Sequence, residues 1–220
     1  MIEYVVPGNM DDRVAARTAR LLEAGGVAAL PTDTSWSLVC SSRAREGIKR
    51  LRALSFERDE RHFTLLCSDI SQFGEWCSMD NTRFRLIKRL SPGPYVFILR
   101  TLAGTEKALG LRRSEAGIRI PDHPVPLRII GALGVPLYSI TAKRSMTGAR
   151  REDPPPPGDD RFAPIPEEDL FEGGWELEDI NGVDVILDGG GERDRIFSSV
   201  LDLSGDEIRL LRRGAGPWPA

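Results

Sequence analysis

Gly25-Gly26-Val27-Ala28-Ala29-Leu30-Pro31-Thr32-Asp33-Thr34 decides how this chain is read. The glycine pair reads as the end of a helix, and Val27 to Leu30 has the continuous apolar pattern of a strand covered on both faces. Pro31 ends that strand, because it has no N–H to give to a ladder. Thr32, Asp33 and Thr34 then emerge at the carboxyl end of a strand, where an open α/β sheet binds its ligand. Taken alone, the run reads equally well as a polar turn after a core strand.

Upstream, Asp11 to Ala24 carries Val14, Ala15, Thr18, Leu21 and Leu22 at helical spacing. Downstream, the pattern predicts a helix from about Ala44 to Leu54 with Ile48, Leu51 and Leu54 on one face. It also predicts a buried strand at Phe63 to Cys67 and a helix capped by Asn81, with Phe84, Ile87 and Leu90 inward. Pro92-Gly93-Pro94 stops that helix. Tyr95 to Leu99, Gly117 to Ile120 and Leu137 to Thr141 read as strands, with a helix opened by Asp122 and Pro124 between the last two. Val183 to Leu187, Ser199 to Leu203 and Ile208 to Arg212 read as three more. The proline-rich segment 149–166 reads as a loop insertion, not a domain boundary. The expectation is a single α/β domain over residues 1–220, a twisted mixed parallel and antiparallel sheet with flanking helices.

Composition is that of an ordinary soluble globular protein. No apolar run approaches membrane-spanning length and the start lacks a signal-peptide layout, so no membrane partner is expected. Cys40 and Cys67 each end a strand-like run, and with Cys77 they form an odd trio without Cys-x-x-Cys spacing. Buried free thiols in a reducing cytoplasm are expected, with no zinc site or disulfide framework. His62 and His123 sit in no metal-ligand or nucleophile context, and His62 reads as an edge residue.

A net charge of −3 gives no global pull towards nucleic acid. Locally, though, basic residues cluster at 43–61 (Arg50, Arg52 and Arg58 among them), at 83–89 (including Arg85) and at 143–151 (including Lys143 and Arg144). Each cluster is either a solvated face or, if the three converge, one wall of a phosphate-holding groove. Arg119 lies inside a short apolar strand and needs anionic or carbonyl partners there: Asp33 in the fold, or a ligand anion. The phosphate-loop and Gly-x-Gly-x-x-Gly patterns are absent.

The order of the segments carries a resemblance. The Val27–Thr34 strand and turn is followed by Phe63-Thr64-Leu65-Leu66, Ser91-Pro92-Gly93-Pro94-Tyr95, Gly117-Ile118-Arg119-Ile120-Pro121 and Pro136-Leu137-Tyr138-Ser139-Ile140-Thr141. In that order, over roughly residues 10–148, they resemble the YrdC family. His62-Phe63-Thr64-Leu65-Leu66-Cys67 with Asp80-Asn81-x-x-Phe84-Arg85 resembles its YciO branch, and Arg213-Gly214 near the end also fits.

The resemblance implies a basic concave surface and, in one branch, synthesis of threonylcarbamoyl-AMP from L-threonine, bicarbonate and ATP with magnesium, for modification of tRNA to threonylcarbamoyladenosine. It also implies RNA binding, including structured, double-stranded RNA. By that likeness, Thr32, Thr34 and Trp36 help to hold threonine, and the slot that lines the nucleotide site ends on Lys143. From their places at or beside the ends of predicted core strands, Thr32, Thr34, Thr64, Arg119, Ser139 and Thr141 are expected to line one cleft, with Arg58 and His62 at its edge. Arg50, Arg52, Arg85, Lys143 and Arg144 are the candidate RNA contacts. Two places depart from the synthase pattern. The Lys-x-Arg slot reads Ser55-Phe56-Glu57, and the Ser-Ala-Asn slot reads Thr141-Ala142-Lys143. A serine and a glutamate do not neutralise a triphosphate. The expectation is therefore a nucleotide or structured-RNA binder with a degenerate synthase site, the alternative being a working synthase whose cations come from Arg58, Lys143 and Arg144.

Overall fold

A computed structural model describes residues 1–55, 63–111, 114–147, 166–191 and 195–218. Its order opens with β1 (Ile2–Tyr4), α1 (Asp12–Glu23), β2 (Ala28–Leu30), β3 (Ser37–Ser41), α2 (Arg45–Ser55) and β4 (Thr64–Leu66). There follow α3 (Ile70–Trp76), α4 (Asn81–Leu90), β5 (Tyr95–Arg100), α5 (Thr105–Leu109), β6 (Glu115–Arg119) and α6 (Pro124–Leu133). Then come β7 (Leu137–Thr141), β8 (Val185–Asp188), β9 (Ser199–Asp202) and β10 (Arg209–Arg212). These strands form one mixed sheet in the order β1-β8-β2-β3-β7-β4-β6-β5-β9-β10, a single-domain α/β fold. The predicted strands at 27–30, 63–67, 95–99, 117–120 and 137–141 all belong to it.

The opening stretch folds as its residues dictate. Asp11 caps α1 by accepting from the Arg13 N–H. At the other end Gly26 N–H donates to the Leu21 carbonyl and Gly25 N–H to that of Leu22, with Gly25 at φ +90°, the left-handed C-terminal stop that glycine provides. Two caps differ from the sequence expectation by one residue. Asp80, not Asn81, caps α4, and His123, not Asp122, caps α6 through Nδ1, which accepts from Val125 N–H. In both pairs two neighbouring side chains can accept, and the backbone geometry selects one.

Strand alternation sorts the side chains into two layers. On one face, Leu38, Cys40, Leu65, Phe97, Leu99, Ile118, Tyr138, Ile140 and Leu201 join a cluster with Ile48 and Leu51 of α2, Phe73 of α3, Ile87 of α4 and Leu109 of α5. On the other, Ala28, Leu30, Val39, Leu66, Leu137, Val185 and Leu187 pack against Ala15, Ala19 and Leu22 of α1 and Ile129, Ile130 and Leu133 of α6. This second cover stops at β4. Beyond it, the same face of β6, β5 and β9 carries no helix of that cluster, and a cleft opens there.

Cys40, Cys67 and Cys77 are buried free thiols. Burial pushes Cys40 and Cys77 up to about 12, which keeps them protonated and unreactive at neutral pH.

Asp184, just before β8, ties three elements together. It accepts from Val27 N–H at 2.7 Å and pairs with Arg50 of α2 at 3.0 Å. Burial alone would raise its pKa, but the Arg50 guanidinium and the Val27 N–H together hold it below the usual carboxylate range. A depressed folded-state pKa gives stability that is present above the unfolded value of about 3.9 and is lost as pH falls through the folded value. Asp184→Asn is therefore expected to lower stability at pH 7 by about 1–2 kcal/mol, allowing for partial exposure of the pair. That difference from wild type should narrow as pH falls below about 4, as read from urea midpoints across an acid pH series.

Candidate functional site

The cleft floor is written by the register of β3, β7, β4 and β6. Ser37 lies opposite Thr141, Thr64 lies opposite Ser139, and Thr64 also pairs with Gly117. Ser37, Thr64, Ser139, Thr141 and Ser198 thus present hydroxyls to one cleft, with Phe63, Val96, Ile98 and Val200 as its apolar part. Ser139 Oγ is committed to the Thr64 carbonyl at 2.7 Å. A Cβ on Gly117 would meet Thr64 Oγ1 at 3.3 Å and the Phe63 carbonyl at 3.2 Å, so glycine keeps this part of the floor open.

Three cations line the same cleft: Arg119 at the end of β6, Lys143 after β7 and Arg212 at the end of β10. Arg119 is buried and makes four hydrogen bonds. Its Nη2 donates to Asp33 Oδ1 at 2.5 Å, its Nη1 to Thr34 Oγ1 at 2.9 Å and Ser198 Oγ at 2.6 Å, and its Nε to the Gly93 carbonyl at 3.2 Å. Burial lowers its pKa, opposed by the Asp33 carboxylate, and it keeps its proton. Asp33 Oδ2 is buried and has no hydrogen-bond partner among the described residues. The alternatives open for Arg119 in the sequence are thus resolved in favour of Asp33.

Arg212 is the residue that sequence reasoning missed. Its Nε and Nη2 donate to the Ser198 carbonyl at 3.2 and 3.0 Å, and its guanidinium lies 4.8 Å from the centre of the Phe197 ring. Among the described residues no carboxylate pairs with it. Burial, then the nearby charge of Arg119, lowers its pKa to about 10, so it remains a cation at neutral pH. Its position depends on a β-bulge. Leu210 pairs with Leu201, but Arg212, not Leu211, pairs with Val200 on the cleft face. Gly214 lets the tail pass close over the Phe197–Ser198 backbone, where a Cβ would sit 2.3 Å from the Phe197 carbonyl. The available signal was Arg212-Arg213-Gly214 after a short strand, but only the bulge says which arginine faces the cleft; Arg213 is exposed.

Of the residues singled out from the sequence, Thr64, Arg119, Ser139, Thr141 and Lys143 line this cleft. Thr32 and Thr34 stand behind it: they bond to each other at 3.1 Å, and Thr34 supports Arg119. Trp36 does not belong to it. Strand alternation puts Ser37 in the cleft and Trp36 in the opposite cluster, fully buried, with its Nε1 donating to the Glu172 carbonyl. Arg58 and His62 lie outside the described residues, as does most of the 149–166 segment.

Within the basic clusters, Arg43, Arg45, Lys49, Arg85, Lys88 and Arg89 are exposed, while three of the candidate arginines are held internally. Arg50 is held by Asp184 and the Gly25 and Gly182 carbonyls. Arg52 donates to the Leu109 and Gly110 carbonyls and lies beside the stacked rings of Phe63 and Tyr138. Arg144 pairs with Glu176 and lies over Phe171. Arg85 is exposed on α4. Three of the five candidate RNA contacts are therefore bound internally, because each guanidinium closes backbone carbonyls or a carboxylate that the fold leaves beside it. Among the described residues no group of three or more His, Cys, Asp or Glu is placed to hold a metal ion. The cleft's hydroxyls and cations do not suit a resident magnesium. Among the same residues, no helix is long and apolar enough to cross a membrane.

Residues 20–153 match the family model Sua5/YciO/YrdC, described as telomere recombination. YciO of Escherichia coli (strain K12) is 29% identical over 218 residues, covering 97% of this chain and 95% of that one. A threonylcarbamoyl-AMP synthase of Xanthomonas axonopodis pv. citri (strain 306) is 30% identical over 137 residues, 61% of this chain and 71% of that one. The crystal structure of E. coli YciO superposes with a TM-score of 0.79 at 27% identity, covering 99% of this chain and 97% of that one. That of P. abyssi Sua5 complexed with L-threonine has a TM-score of 0.79 at 20% identity, covering 97% of this chain and 57% of the longer one.

Proposed function

Because this chain belongs to the Sua5/YciO/YrdC family and is related to threonylcarbamoyl-AMP synthases, we propose that its cleft is a nucleotide site that has lost part of the synthase machinery. The observation that supports this most is Arg212, a half-buried cation on the cleft wall with no carboxylate partner among the described residues. A cation so placed suits an incoming phosphate oxygen, for which guanidinium is a geometric match. Around it, the hydroxyl row supplies donors and acceptors for a ribose or phosphate, and Phe63, Val96 and Ile98 supply apolar contact. A free nucleotide fits this arrangement better than an RNA duplex, since Arg50, Arg52 and Arg144 already hold internal partners.

A second feature supports an amino-acid subsite next to it, as the relation to a threonine-binding Sua5 suggests. Asp33 Oδ2 is a buried acceptor beside Arg119, and it suits a ligand ammonium.

The test is calorimetric titration of the purified protein with adenine nucleotides, with and without L-threonine. Arg212→Gln is expected to weaken nucleotide binding by about tenfold to a hundredfold, the scale of one charge-assisted bond, while Arg212→Lys keeps part of the affinity. Equal affinity of wild type and Arg212→Gln, both folded by circular dichroism, rejects the site.

A further inference from the structure

We infer that this chain associates head to tail, with Trp175 of one copy seated in a groove beside α4 of the next. The groove is separate from the nucleotide cleft. Ile70, Met79, Phe84, Pro92, Ile120 and Leu127 form its apolar walls, and its volume of about 600 Å3 is ample for one large side chain. Lys88 stands on its rim. The carboxylate on the same rim, Asp69, is already engaged: it accepts from Ser68 Oγ and from the Ser71 and Gln72 N–H groups.

The turn of α4 makes this rim cationic. Leu86, Ile87 and Leu90 pack on the core, and Arg83 is closed by Asp80 and the Leu203 and Gly205 carbonyls. The opposite stripe, Phe84, Arg85, Lys88 and Arg89, is exposed, and α4 holds no carboxylate. Helical spacing alone would turn Phe84 inward with Ile87 and Leu90, yet its ring is 40% exposed among those cations. Among the described residues, no carboxylate pairs with Arg85, Lys88 or Arg89.

The occupant is read from the opposite composition elsewhere in the chain. Residues 166–191 contain no lysine, arginine or histidine. Within them Trp175 is 69% exposed in the turn Gly174–Asp179, and Glu178 and Asp179 after it are exposed as well. Glu176 fixes that turn, since it accepts from the Glu172 and Gly173 N–H groups and pairs with Arg144. An indole held out beside two exposed carboxylates complements an apolar groove rimmed by exposed cations, and a large ring of few rotamers is a good anchor.

A copy's own Trp175 is not placed to fill its own groove. Gly174 packs against Asp188 at the carboxyl end of β8, one strand from the sheet edge. The groove adjoins Ile120, past the carboxyl end of β6, five strand positions away, or about 24 Å at ordinary strand spacing. Through the ladder β6 also runs opposite to β8, so the two carboxyl ends point apart. Complementary patches at separate places on one molecule make a heterologous contact, which adds copies in a row.

The experiment is sedimentation velocity of the full chain from about 10 µM to about 1 mM, the range of a weak interface. In low salt the mean mass should rise with concentration beyond the monomer. Salt at about 1 M, where the Debye length is about 3 Å, should reverse most of that rise. Arg85→Glu with Lys88→Glu should weaken association at least roughly tenfold, and so should Trp175→Ala with Glu178→Gln and Asp179→Asn. Mixed together, these two variants should form a one-to-one complex and nothing larger, because the pair retains one intact groove and one intact Trp175 turn. That complex also shows that both variants fold. A wild-type chain that stays monomeric throughout overturns the inference, as does association unchanged by either variant or a mixture that forms no complex. RNA bound by monomeric protein through the α4 cations would assign them to phosphates and overturn it too.

Discussion

Replacing Arg119 with methionine is expected to lower the unfolding free energy by about 3–5 kcal/mol, the cost of removing one partner from a buried ion pair. Asp33 would keep its charge in an interior where one carboxylate oxygen already has no partner among the described residues, and the other would lose the guanidinium at 2.5 Å. Thr34, Ser198 and the Gly93 carbonyl would lose a donor at the same moment. Against a total stability of about 5–15 kcal/mol this is a large share, and urea unfolding should show it as a shift of midpoint at unchanged slope. Adding Asp33→Asn to Arg119→Met should recover part of the loss, since the orphaned charge disappears. A loss below about 1 kcal/mol in the single variant would mean that water from the cleft already solvates the pair.

Purified protein with ATP, L-threonine and bicarbonate is expected to release pyrophosphate at least roughly a hundredfold more slowly than a threonylcarbamoyl-AMP synthase of the same family. One cation missing from a developing phosphate charge costs about 2–4 kcal/mol in the transition state. Here the Lys-x-Arg slot holds Ser55 and Glu57, and Ser55 lines the cleft with its hydroxyl bonded to the Arg52 carbonyl. The double substitution Ser55→Lys, Glu57→Arg should raise ATP affinity by tenfold or more and bring the pyrophosphate signal up with it. Robust threonine-dependent release by the unaltered chain would reject the degenerate-site reading and favour the synthase alternative.

Much of this was legible in the residues because the interior strands are continuous apolar runs and their order is distinctive. β2, β4, β5, β6 and β7 are written plainly, and so is the unusual Arg119 among them. What escaped was short or set by register. β1 has three residues, none fully buried, and α3 and α5 have seven and five, too few turns to display a helical period. Trp36 enters the site reading through the family resemblance, and the side of the sheet it faces is set by register: a one-residue step from Ser37 reverses the side chain, which joins the core cluster. That Arg50 and Arg52 are tied inward also escaped, because sequence spacing does not reveal the Gly25, Gly182, Leu109 and Gly110 carbonyls that they close.

The bulge in β10 makes the sign of the cleft a matter of counting. In a regular ladder the residue opposite Val200 would be Leu211, and Arg212 would turn to the side where Leu201 lies in the core. One surplus residue exchanges a leucine for a guanidinium at the wall without altering any amino acid. Gaining or losing a single residue within β10 would therefore move this guanidinium on or off the cleft wall in one step, with the arginines themselves untouched. Two chains with identical Arg-Arg-Gly tails can then differ in ligand while looking the same letter by letter. Relatives of this protein are better compared by the length of their last hairpin than by whether the arginine is present.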